Sequence, residues 1–563
     1  MEKFLWMGRT RGATARRALA HGLWVACCAA AVFGAALTAG CGGSDDPDSA
    51  VPTRDATLAL TDKGAVRGQA SGKLLEFLGI PYAAAPTGPL RWRPPEPAPR
   101  WQGERDATRV AAHCPQPDTP FGSASVSEDC LFLSVRRPAG VGPFPVMVWI
   151  HGGALWLGQG DEYDPRALVE QGVVVVTLNY RLGILGFLTH PALSAESPDA
   201  VSGNYGLLDQ QAALRWVRDN IAQFGGDARN VTLFGQSAGG LSVSSQLVSP
   251  GAAGLFHKAI IQSGSYSMTQ PALPVAEASG AAFGAAANCP APGAGSGASQ
   301  AAACLRALSV AQVLTAQGFP PIGFVPTVDG KVLPHAVAQA FGTGQFHRVP
   351  VLAGSTGNEF SLLSAFLFDL VPASAGGLGP VTQANFAVAL ASSLQVFGVA
   401  RTADQVTAEY AGLPFASRAD AIDAIGTDAA FACRGRDAQR LLSQHTSVYA
   451  YEFNDPNAPM FLLPPVRAGW GAYHAAELPY LFAVPTRTGA VRAPFSNDQQ
   501  RLSAEMVAAW TQFARTGTPN PAGTTAWPAF SAATEGVWSL EPAASRVTHD
   551  FAGRHHCGFW SGS

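Results

Sequence analysis

The sequence predicts an α/β protein built around a large, mostly parallel β-sheet that is flanked by helices. Apolar runs alternate with helical patterns along the chain, as in proteins whose strands are buried on both faces. A Gly-x-Ser-x-Gly pentapeptide, residues 235–239, lies where one apolar run gives way to a helical pattern. The chain has 563 residues, 47% hydrophobic and 14% charged, which is typical of a globular protein with a sizeable core.

The apolar runs and helical patterns define the elements of this sheet. Strands are predicted at 146–150, 173–178, 231–234, 259–261, 349–353 and 448–453, and helices at 209–221, 237–247 and 498–513. The chain between the pentapeptide and residue 448 is too long for simple crossovers, so part of it is predicted to form a lid or cap. Residues 285–300 and 371–380, which are rich in Ala, Gly and Pro, are predicted surface loops.

The N-terminal segment, residues 1–41, resembles a bacterial lipoprotein signal. Four arginines precede an apolar stretch at 19–37, and the segment ends at Cys41, which would become the lipidated first residue. Thr38 stands where such signals usually carry Leu or another aliphatic residue. An ordinary secretory signal therefore stays open as the alternative, whereas the many Gly and Ala residues disfavour a retained membrane helix.

The predicted location follows from this segment and from the charge of the rest. The chain carries a net charge of −3 and residues 1–41 carry +4, so the remainder carries −7. No basic stripe is left to bind nucleic acid. Residues 42–55 are predicted to be a flexible tether from an anchor at Cys41 in the bacterial cell envelope, and Gly42 favours outer-membrane sorting by the same resemblance. A periplasmic or secreted protein is the alternative; membrane contact is expected through the lipid alone.

Six cysteines lie beyond the signal segment, out of nine in the chain: Cys114, Cys130, Cys289, Cys304, Cys433 and Cys557. An even number in an exported chain predicts three disulfides, although sequence alone allows 15 pairings. Proximity favours Cys114–Cys130 and Cys289–Cys304, which leaves Cys433–Cys557. The competing interpretation, a zinc site, lacks any Cys-x-x-Cys spacing, so no metal is predicted.

Ser237, at the centre of the pentapeptide, is the candidate nucleophile. A sharp turn between strand and helix needs glycines beside the serine and holds its hydroxyl clear of the backbone. The motif alone is weak evidence, because a chain with 61 glycines can produce it in an ordinary turn. Its position between a strand and a helix favours a hydrolase.

A Gly-rich loop follows the strand predicted at 146–150. Backbone N–H groups at the end of such a strand can bind a developing oxyanion, and Gly153 and Ala154 are the candidates, with the Ala238 N–H as a third donor. An ordinary tight turn is the alternative for the two glycines of this loop.

The nucleophile also needs a base and an acid that orients it. Glu359 follows the strand predicted at 349–353 and is the candidate acid, because catalytic loops gather at the carboxyl ends of parallel strands. His474 is a candidate base, but the chain has twelve histidines and spacing alone does not single it out.

From about residue 56 to 560 the chain resembles the type-B carboxylesterase and cholinesterase family of α/β-hydrolases. The resemblance rests on the pentapeptide and five further segments: 77–83, 127–131, 179–183, 206–210 and 513–520. It implies a serine esterase domain at 56–563 with cap insertions, a small-molecule ester as substrate, and no cofactor. It assigns the triad to Ser237, Glu359 and His474, supports the three disulfide pairings, and implies ion pairs Arg91–Glu128 and Arg181–Asp209.

Two departures from the family favour neutral carboxylic esters over choline esters. Phe121 is the only aromatic residue between Cys114 and Cys130, where cholinesterases carry a Trp that binds a cationic head. Gln236 stands before the nucleophile where the family usually has Glu, which removes a negative charge.

Four phenylalanines could line an apolar pocket, with simple core packing as the alternative for each: Phe319, Phe324, Phe360 and Phe366. Two other functions stay open. Amidase, lactonase or transacylase chemistry would use the same site, because the pocket sets the leaving group and the acceptor. A binding module similar to the neuroligins would lack the serine, so the presence of all three triad residues disfavours it.

Overall fold

The computed structural model describes residues 55–561 except 120–121, 294–295, 319–323, 371–376, 468, 488–489, 491 and 525. The predicted signal and tether, Cys41 included, lie outside these residues, as do Phe121 and Phe319. Within the described part of the chain, no helix is both long enough and apolar enough to cross a bilayer.

Within the described residues, fourteen strands form two sheets. They are β1 (Leu58–Leu60), β2 (Ala65–Arg67), β3 (Gln69–Ser71), β4 (Leu74–Pro81), β5 (Glu104–Asp106), β6 (Phe132–Pro138), β7 (Phe144–Ile150), β8 (Val174–Leu178), β9 (Gly226–Gln236), β10 (Lys258–Gln262), β11 (Val351–Thr356), β12 (Val448–Phe453), β13 (Val537–Leu540) and β14 (Arg546–Thr548). The small sheet has the order β1-β2-β5, and the large one β14-β13-β12-β11-β10-β9-β7-β8-β6-β4-β3.

The large sheet is parallel at its centre and antiparallel at its edges. The pairs from β8 through β7, β9, β10, β11 and β12 to β13 are parallel. Every residue of β8, β10 and β11 except Gly354 is buried, so helices cover both faces of the sheet there. The mostly parallel sheet that the sequence predicts is confirmed.

The described part of the chain also contains eighteen α-helices, which surround the sheet. They are α1 (Arg166–Glu170), α2 (Gly183–Phe187), α3 (Pro191–Ser194), α4 (Tyr205–Asn220), α5 (Ala238–Val248), α6 (Leu273–Ala286), α7 (Ser296–Ala307), α8 (Val310–Gln317), α9 (Val337–Thr343), α10 (Phe360–Ser364), α11 (Phe386–Val396), α12 (Ala403–Glu409), α13 (Arg418–Thr427), α14 (Cys433–Ser443), α15 (Leu478–Leu481), α16 (Asn497–Thr516), α17 (Phe551–Arg554) and α18 (Cys557–Trp560). Two π-helical segments, Ala365–Asp369 and Asp428–Ala432, continue α10 and α13.

All six predicted strands and all three predicted helices are present, with ends that differ by a few residues. The largest difference is β9, which begins at Gly226 instead of 231. The predicted loop at 285–300 is wrong at both ends: α6 runs to Ala286 and α7 begins at Ser296. Ala is the best helix former, so low complexity here does not mean a loop. Part of the predicted loop at 371–380 lies outside the described residues.

The predicted cap is an insertion between β11 and β12. It contains α10 to α14 and the two π-helical segments, and its residues Leu362, Leu363, Phe366, Leu367 and Val396 face the cavity beside the nucleophile. The carboxyl ends of the parallel strands therefore lie beneath a helical cover.

Three disulfides join the six cysteines in the predicted pairing. Their Cα–Cα distances are 4.9 Å for Cys114–Cys130, 5.7 Å for Cys289–Cys304 and 5.1 Å for Cys433–Cys557. The last bond ties α18, at the end of the described chain, to α14 of the cap, 124 residues earlier. Disulfides persist in oxidising compartments, which indicates an extracellular or otherwise exported protein.

The two ion pairs implied by the family resemblance are also present. Arg91 Nε donates to Glu128 Oε1 over 2.7 Å, and Arg181 Nη2 lies 2.7 Å from Asp209 Oδ1. Asp209 is fully buried at the start of α4, and its carboxylate also accepts from the backbone N–H of Arg181. Charge-assisted bonds of this kind fix the chain entering α4 against the chain leaving β8.

Candidate active site

Ser237 lies in a sharp turn between β9 and α5. Its backbone has φ 56° and ψ −122°, a conformation that non-glycine residues rarely adopt. The turn is held on both sides: the Ser237 N–H donates to Gln262 O over 2.8 Å, and its carbonyl accepts from Leu241 N over 2.9 Å. The strain is thus supported by hydrogen bonds, and the side chain is left partly exposed to the cavity.

The two glycines of the pentapeptide are required by close backbone contacts. A Cβ on Gly239 would lie 2.0 Å from Ile150 O, and one on Gly235 would lie 2.7 Å from the same oxygen. Both distances are far below van der Waals contact. Only glycine at these positions lets α5 pack onto the end of β7, which places Ser237 at the edge of the sheet.

The Gly-rich loop after β7 is held in a left-handed conformation next to Ser237. Gly153 has φ +102°, and Ala154 has φ 53°, so Ala154 adopts a left-handed conformation despite its Cβ. Among the described residues, neither backbone N–H donates a hydrogen bond within the protein. The Ala238 N–H is the first of α5, where no intrahelical acceptor exists. The N–H groups of Gly153, Ala154 and Ala238, the three predicted oxyanion donors, are therefore not used by these local hydrogen bonds.

Buried contacts hold this loop from below. His151 is buried, and its ring stacks on Tyr180 at 4.5 Å between centroids while its Nδ1–H donates to Gly152 O over 2.8 Å. Burial lowers the pKa of His151 to about 4, so the ring is neutral. From the Cys114–Cys130 segment, Gln116 Oε1 accepts from Gly158 N over 2.9 Å and its amide donates back to Gly158 O over 3.0 Å.

Glu359, just past the end of β11, is fully buried and uses both carboxylate oxygens. Its Oε1 accepts from Thr356 N over 2.8 Å, and its Oε2 lies 2.5 Å from His474 Nδ1. The carboxylate requires a proton on Nδ1, so Nε2 of a neutral His474 is the free acceptor. The predicted acid and base are thus in direct contact.

His474 comes from a loop with no regular structure, and that loop is tied to the Glu359 loop through Asn358. The Asn358 N–H donates to Ala472 O over 2.9 Å, and its side-chain amide donates to Trp470 O over 3.2 Å. The ring of Phe431, from the cap, packs on the imidazole with centroids 5.1 Å apart. The Asn358 hydrogen bonds therefore hold the loop that carries His474, and Phe431 packs against the imidazole ring itself.

Gln236 reaches Nε2 of His474, the ring nitrogen that Glu359 does not contact. Its Nε2 lies 3.3 Å from His474 Nε2, and Gln236 is buried with 2% of its surface exposed. The Ser237 hydroxyl has no hydrogen bond among the described residues. Catalytic hydrogen bonds are often long or absent in substrate-free enzymes, so this geometry is compatible with a triad.

The cavity in front of Ser237 and His474 has a volume of about 290 Å³ and is mostly apolar. Its wall includes the cap residues named above and Phe397, which also belongs to the cap. The remaining apolar lining comes from Trp156, Leu157, Phe461, Leu462 and Leu478. One ion pair, Glu162 with Arg487, also lines it. Of the four phenylalanines considered, Phe366 lines the cavity, while Phe360 and Phe324 pack in the core.

A second buried carboxyl group, Glu477, lies behind the imidazole. Its Oε1 accepts from Gln262 Nε2 over 3.2 Å, and Gln262 Oε1 accepts in turn from Trp510 Nε1 over 3.1 Å. Burial and the nearby Glu359 carboxylate raise the pKa of Glu477 to about 7. Sequence reasoning missed this layer, because Glu, Gln and Trp come from three distant segments with no motif in common.

Comparisons with known proteins give the same family across the chain. The model of the carboxylesterase family matches residues 55–560. The chain belongs to the carboxylesterase family. Two curated relatives are fumonisin B1 esterase of Sphingopyxis macrogoltabida, 35% identical over 493 residues (84% of each chain), and human cocaine esterase, 35% identical over 543 residues (92% of each chain). A solved PNB esterase structure superimposes with a TM-score of 0.74 at 30% identity, covering 90% of this chain and all of the other.

This carboxylesterase therefore has the α/β-hydrolase fold and is a carboxylic ester hydrolase, as the resemblance implies. Its substrates are small-molecule esters. The roles of individual residues, and the kind of ester, depend on the site geometry.

Proposed function

We propose that the protein is a serine carboxylesterase that hydrolyses neutral esters through an acyl-enzyme on Ser237. The observation that carries the proposal is the 2.5 Å contact between Glu359 Oε2 and His474 Nδ1, beside the cavity that Ser237 lines. An acid that orients a histidine, next to a serine in a strained turn, is the arrangement that activates a serine nucleophile.

In the proposed reaction His474 Nε2 takes the proton of Ser237 as Oγ attacks the ester carbonyl. The carbonyl oxygen becomes negative and accepts hydrogen bonds from the N–H groups of Gly153, Ala154 and Ala238. His474 then protonates the leaving alcohol, and an acyl group stays on Ser237. Water then attacks the acyl carbonyl as His474 takes its proton, and the acid leaves as His474 passes that proton to Ser237 Oγ. Glu359 stabilises the imidazolium in both halves, and no step needs a metal or cofactor.

The proposed preference for uncharged esters rests on the cavity and on Gln236. Most of the lining is aliphatic or aromatic, and the charges of Glu162 and Arg487 neutralise each other. An amide at Gln236 adds no negative charge beside the nucleophile to attract a cation. We expect butyrate esters to have a higher kcat/KM than acetate esters, because each buried CH₂ contributes about 0.8 kcal/mol.

The test is hydrolysis of p-nitrophenyl acetate, butyrate and octanoate by the folded domain beside Ser237→Ala. We expect the variant to lose at least about a thousandfold in kcat. Ser279→Ala, at an exposed serine on α6, is the matched control and should keep full turnover. Equal, low turnover of the folded wild type and Ser237→Ala would refute the esterase proposal and favour a binding role; activity on amides or lactones alone would redirect it to those substrates.

We also propose that the mature protein is held in the bacterial cell envelope by a lipid on Cys41. The support is the signal-like segment at 1–41 and the three disulfides, which suit an exported protein. A Cys41→Ser protein should leave the membrane fraction and lack lipid in intact-mass analysis. If it stays membrane-bound with unchanged processing, the anchor is not at Cys41.

A further inference from the structure

We propose that Gln236 is a positioning residue that engages the base His474 in the substrate-free enzyme, by donating a hydrogen bond to the Nε2 atom that Ser237 must later use. This inference rests on the proposed function, because it assigns His474 as the base. It adds a resting state of the triad in which His474 accepts a hydrogen bond from the Gln236 amide and none from the Ser237 hydroxyl.

The geometry supports a donor on Gln236 and an acceptor on His474. Glu359 Oε2, 2.5 Å from Nδ1, keeps the imidazole proton on Nδ1, so Nε2 offers a lone pair. Gln236 Nε2 lies 3.3 Å from it. An amide nitrogen has two protons to donate and no lone pair to accept with, so the bond runs from Gln236 to His474.

Packing limits where the Gln236 side chain can go. The residue ends β9 and is buried, and its other amide atom, Oε1, lies against the Gly-rich loop: a Cβ on Gly152 would be 3.1 Å from Oε1. The amide thus spans the gap between the candidate oxyanion loop and the imidazole. The Gln236 side chain can therefore move only if the Gly-rich loop or the His474 ring also moves.

A hydrogen bond to Nε2 has two consequences for the reaction. The lone pair is occupied at rest, so formation of the Ser237–His474 bond must displace or share it. The bond also stabilises the neutral imidazole over the imidazolium, since only the neutral ring can accept it. Gln236 therefore opposes the transfer of a proton from Ser237 to the base.

Among the described residues, two acidic groups lie near His474. Glu359 faces Nδ1 from the loop after β11, and Glu477 lies behind the ring on the same segment as His474. The cap contributes the uncharged ring of Phe431, and β9 contributes Gln236 itself. Substitution of Gln236 by an apolar residue changes none of these charges, which makes the effect of the hydrogen bond separable.

The test is the pH dependence of kcat/KM for p-nitrophenyl acetate in Gln236→Met, which keeps the volume and removes the donor. We expect the midpoint of the acid limb to rise by about half a pH unit and the plateau to rise about threefold, as for loss of one hydrogen bond. Gln236→Glu should raise the midpoint further, by about one unit, because a carboxylate would face the imidazolium.

Gln211→Met is the matched control. Gln211 is also 2% exposed and also loses buried amide bonds, to Gln246 and Ser249, but it is on α4 and does not touch His474. The proposal is supported if the acid-limb midpoint of Gln236→Met lies at higher pH than that of Gln211→Met. It is overturned if the two midpoints coincide or if that of Gln236→Met lies at lower pH. If Gln236→Met melts below the assay temperature, Gln236→Leu takes its place under the same criterion.

The Ser237→Ala comparison separates this inference from the proposed function. If wild-type turnover depends on Ser237 and the acid limb of Gln236→Met does not move, the resting hydrogen bond is refuted while the triad stands. If turnover does not depend on Ser237, the proposed function fails first.

Discussion

For single residues, the site depends on buried polar groups that hydrogen bonds hold in place. Glu359 is the clearest case, since one carboxylate oxygen is bound to the Thr356 N–H and the other to His474. A carboxylate without exposure and with two donors stays where it is and keeps the proton of His474 on Nδ1. That fixed tautomer is the basis for the role given to the base.

Glu359→Gln tests this role directly. A glutamine amide placed at Oε2 would offer a donor to Nδ1 and so favour the wrong tautomer, leaving Nε2 protonated and unable to take the Ser237 proton. We expect kcat on p-nitrophenyl butyrate to fall about 10³–10⁴-fold with the fold retained by circular dichroism. Glu170→Gln, at an exposed glutamate ending α1, is the control. A loss of less than tenfold would remove Glu359 from the triad.

At the scale of elements, the strand–turn–helix from β9 to α5 is decided by backbone contact. Here the Gly-x-Ser-x-Gly spacing, placed between a strand and a helix, predicts the turn, and the close approach of Gly239 to Ile150 O explains it. The six central strands were equally readable, because burial on both faces makes them continuous apolar runs.

Gly239→Ala should destabilise this junction. Its Cβ would meet Ile150 O at 2.0 Å, so α5 has to shift off β7, and overpacking of this kind costs at least about 1–3 kcal/mol. Guanidinium unfolding, followed by tryptophan fluorescence, measures the loss, and esterase activity should fall with it. Gly435→Ala, on α14 with nothing within 4 Å of the new Cβ, should be neutral or slightly stabilising. Equal stability of the two variants would show that the contact with Ile150 is not restrictive.

Other elements gave weaker signals, for physical reasons. The strands β1, β2 and β3 are three residues long, too short for any period to be recognised. In β4 the apolar run is broken by Glu76, which the structure buries beside Arg136 of β6. From sequence alone, a charged residue such as Glu76 is expected at the surface, because its buried partner cannot be recognised. His474, on an irregular loop, could be found only through family resemblance, because its neighbours are set by tertiary contacts.

At the scale of the whole molecule, the C-terminal segment is fixed to the cap by a buried charged network beside a disulfide. His555 is between two carboxylates, with Nδ1 2.5 Å from Asp428 and Nε2 2.6 Å from Glu452. Burial alone would lower the pKa of His555, but the two carboxylates outweigh burial and raise it to about 9. The nearby Cys433–Cys557 bond closes the same junction covalently.

This network predicts a pH-dependent contribution to stability. Because the pKa of His555 is raised on folding, its contribution is complete below about pH 6.5 and is lost as the pH rises through about 9. His555→Gln should therefore lower the free energy of unfolding by about 3–5 kcal/mol at pH 6, as for a broken buried pair, and by clearly less at pH 10.

Chemical unfolding of the two proteins at both pH values measures this difference. His549→Gln, at an exposed histidine, should show no such dependence. A destabilisation that is the same at pH 6 and pH 10 would mean that His555 is not charged in the folded protein.

The proposed mechanism requires that Ser237 carry the acyl group, and mass spectrometry of the trapped intermediate can detect it there. Wild-type protein quenched in acid during turnover of p-nitrophenyl acetate should carry one acetyl group, which peptide mapping should place on Ser237. His474→Gln should accumulate little of it, and Ser237→Ala none. Acetylation of another residue, or rapid hydrolysis in wild type and Ser237→Ala alike, would show that Ser237 is not the nucleophile.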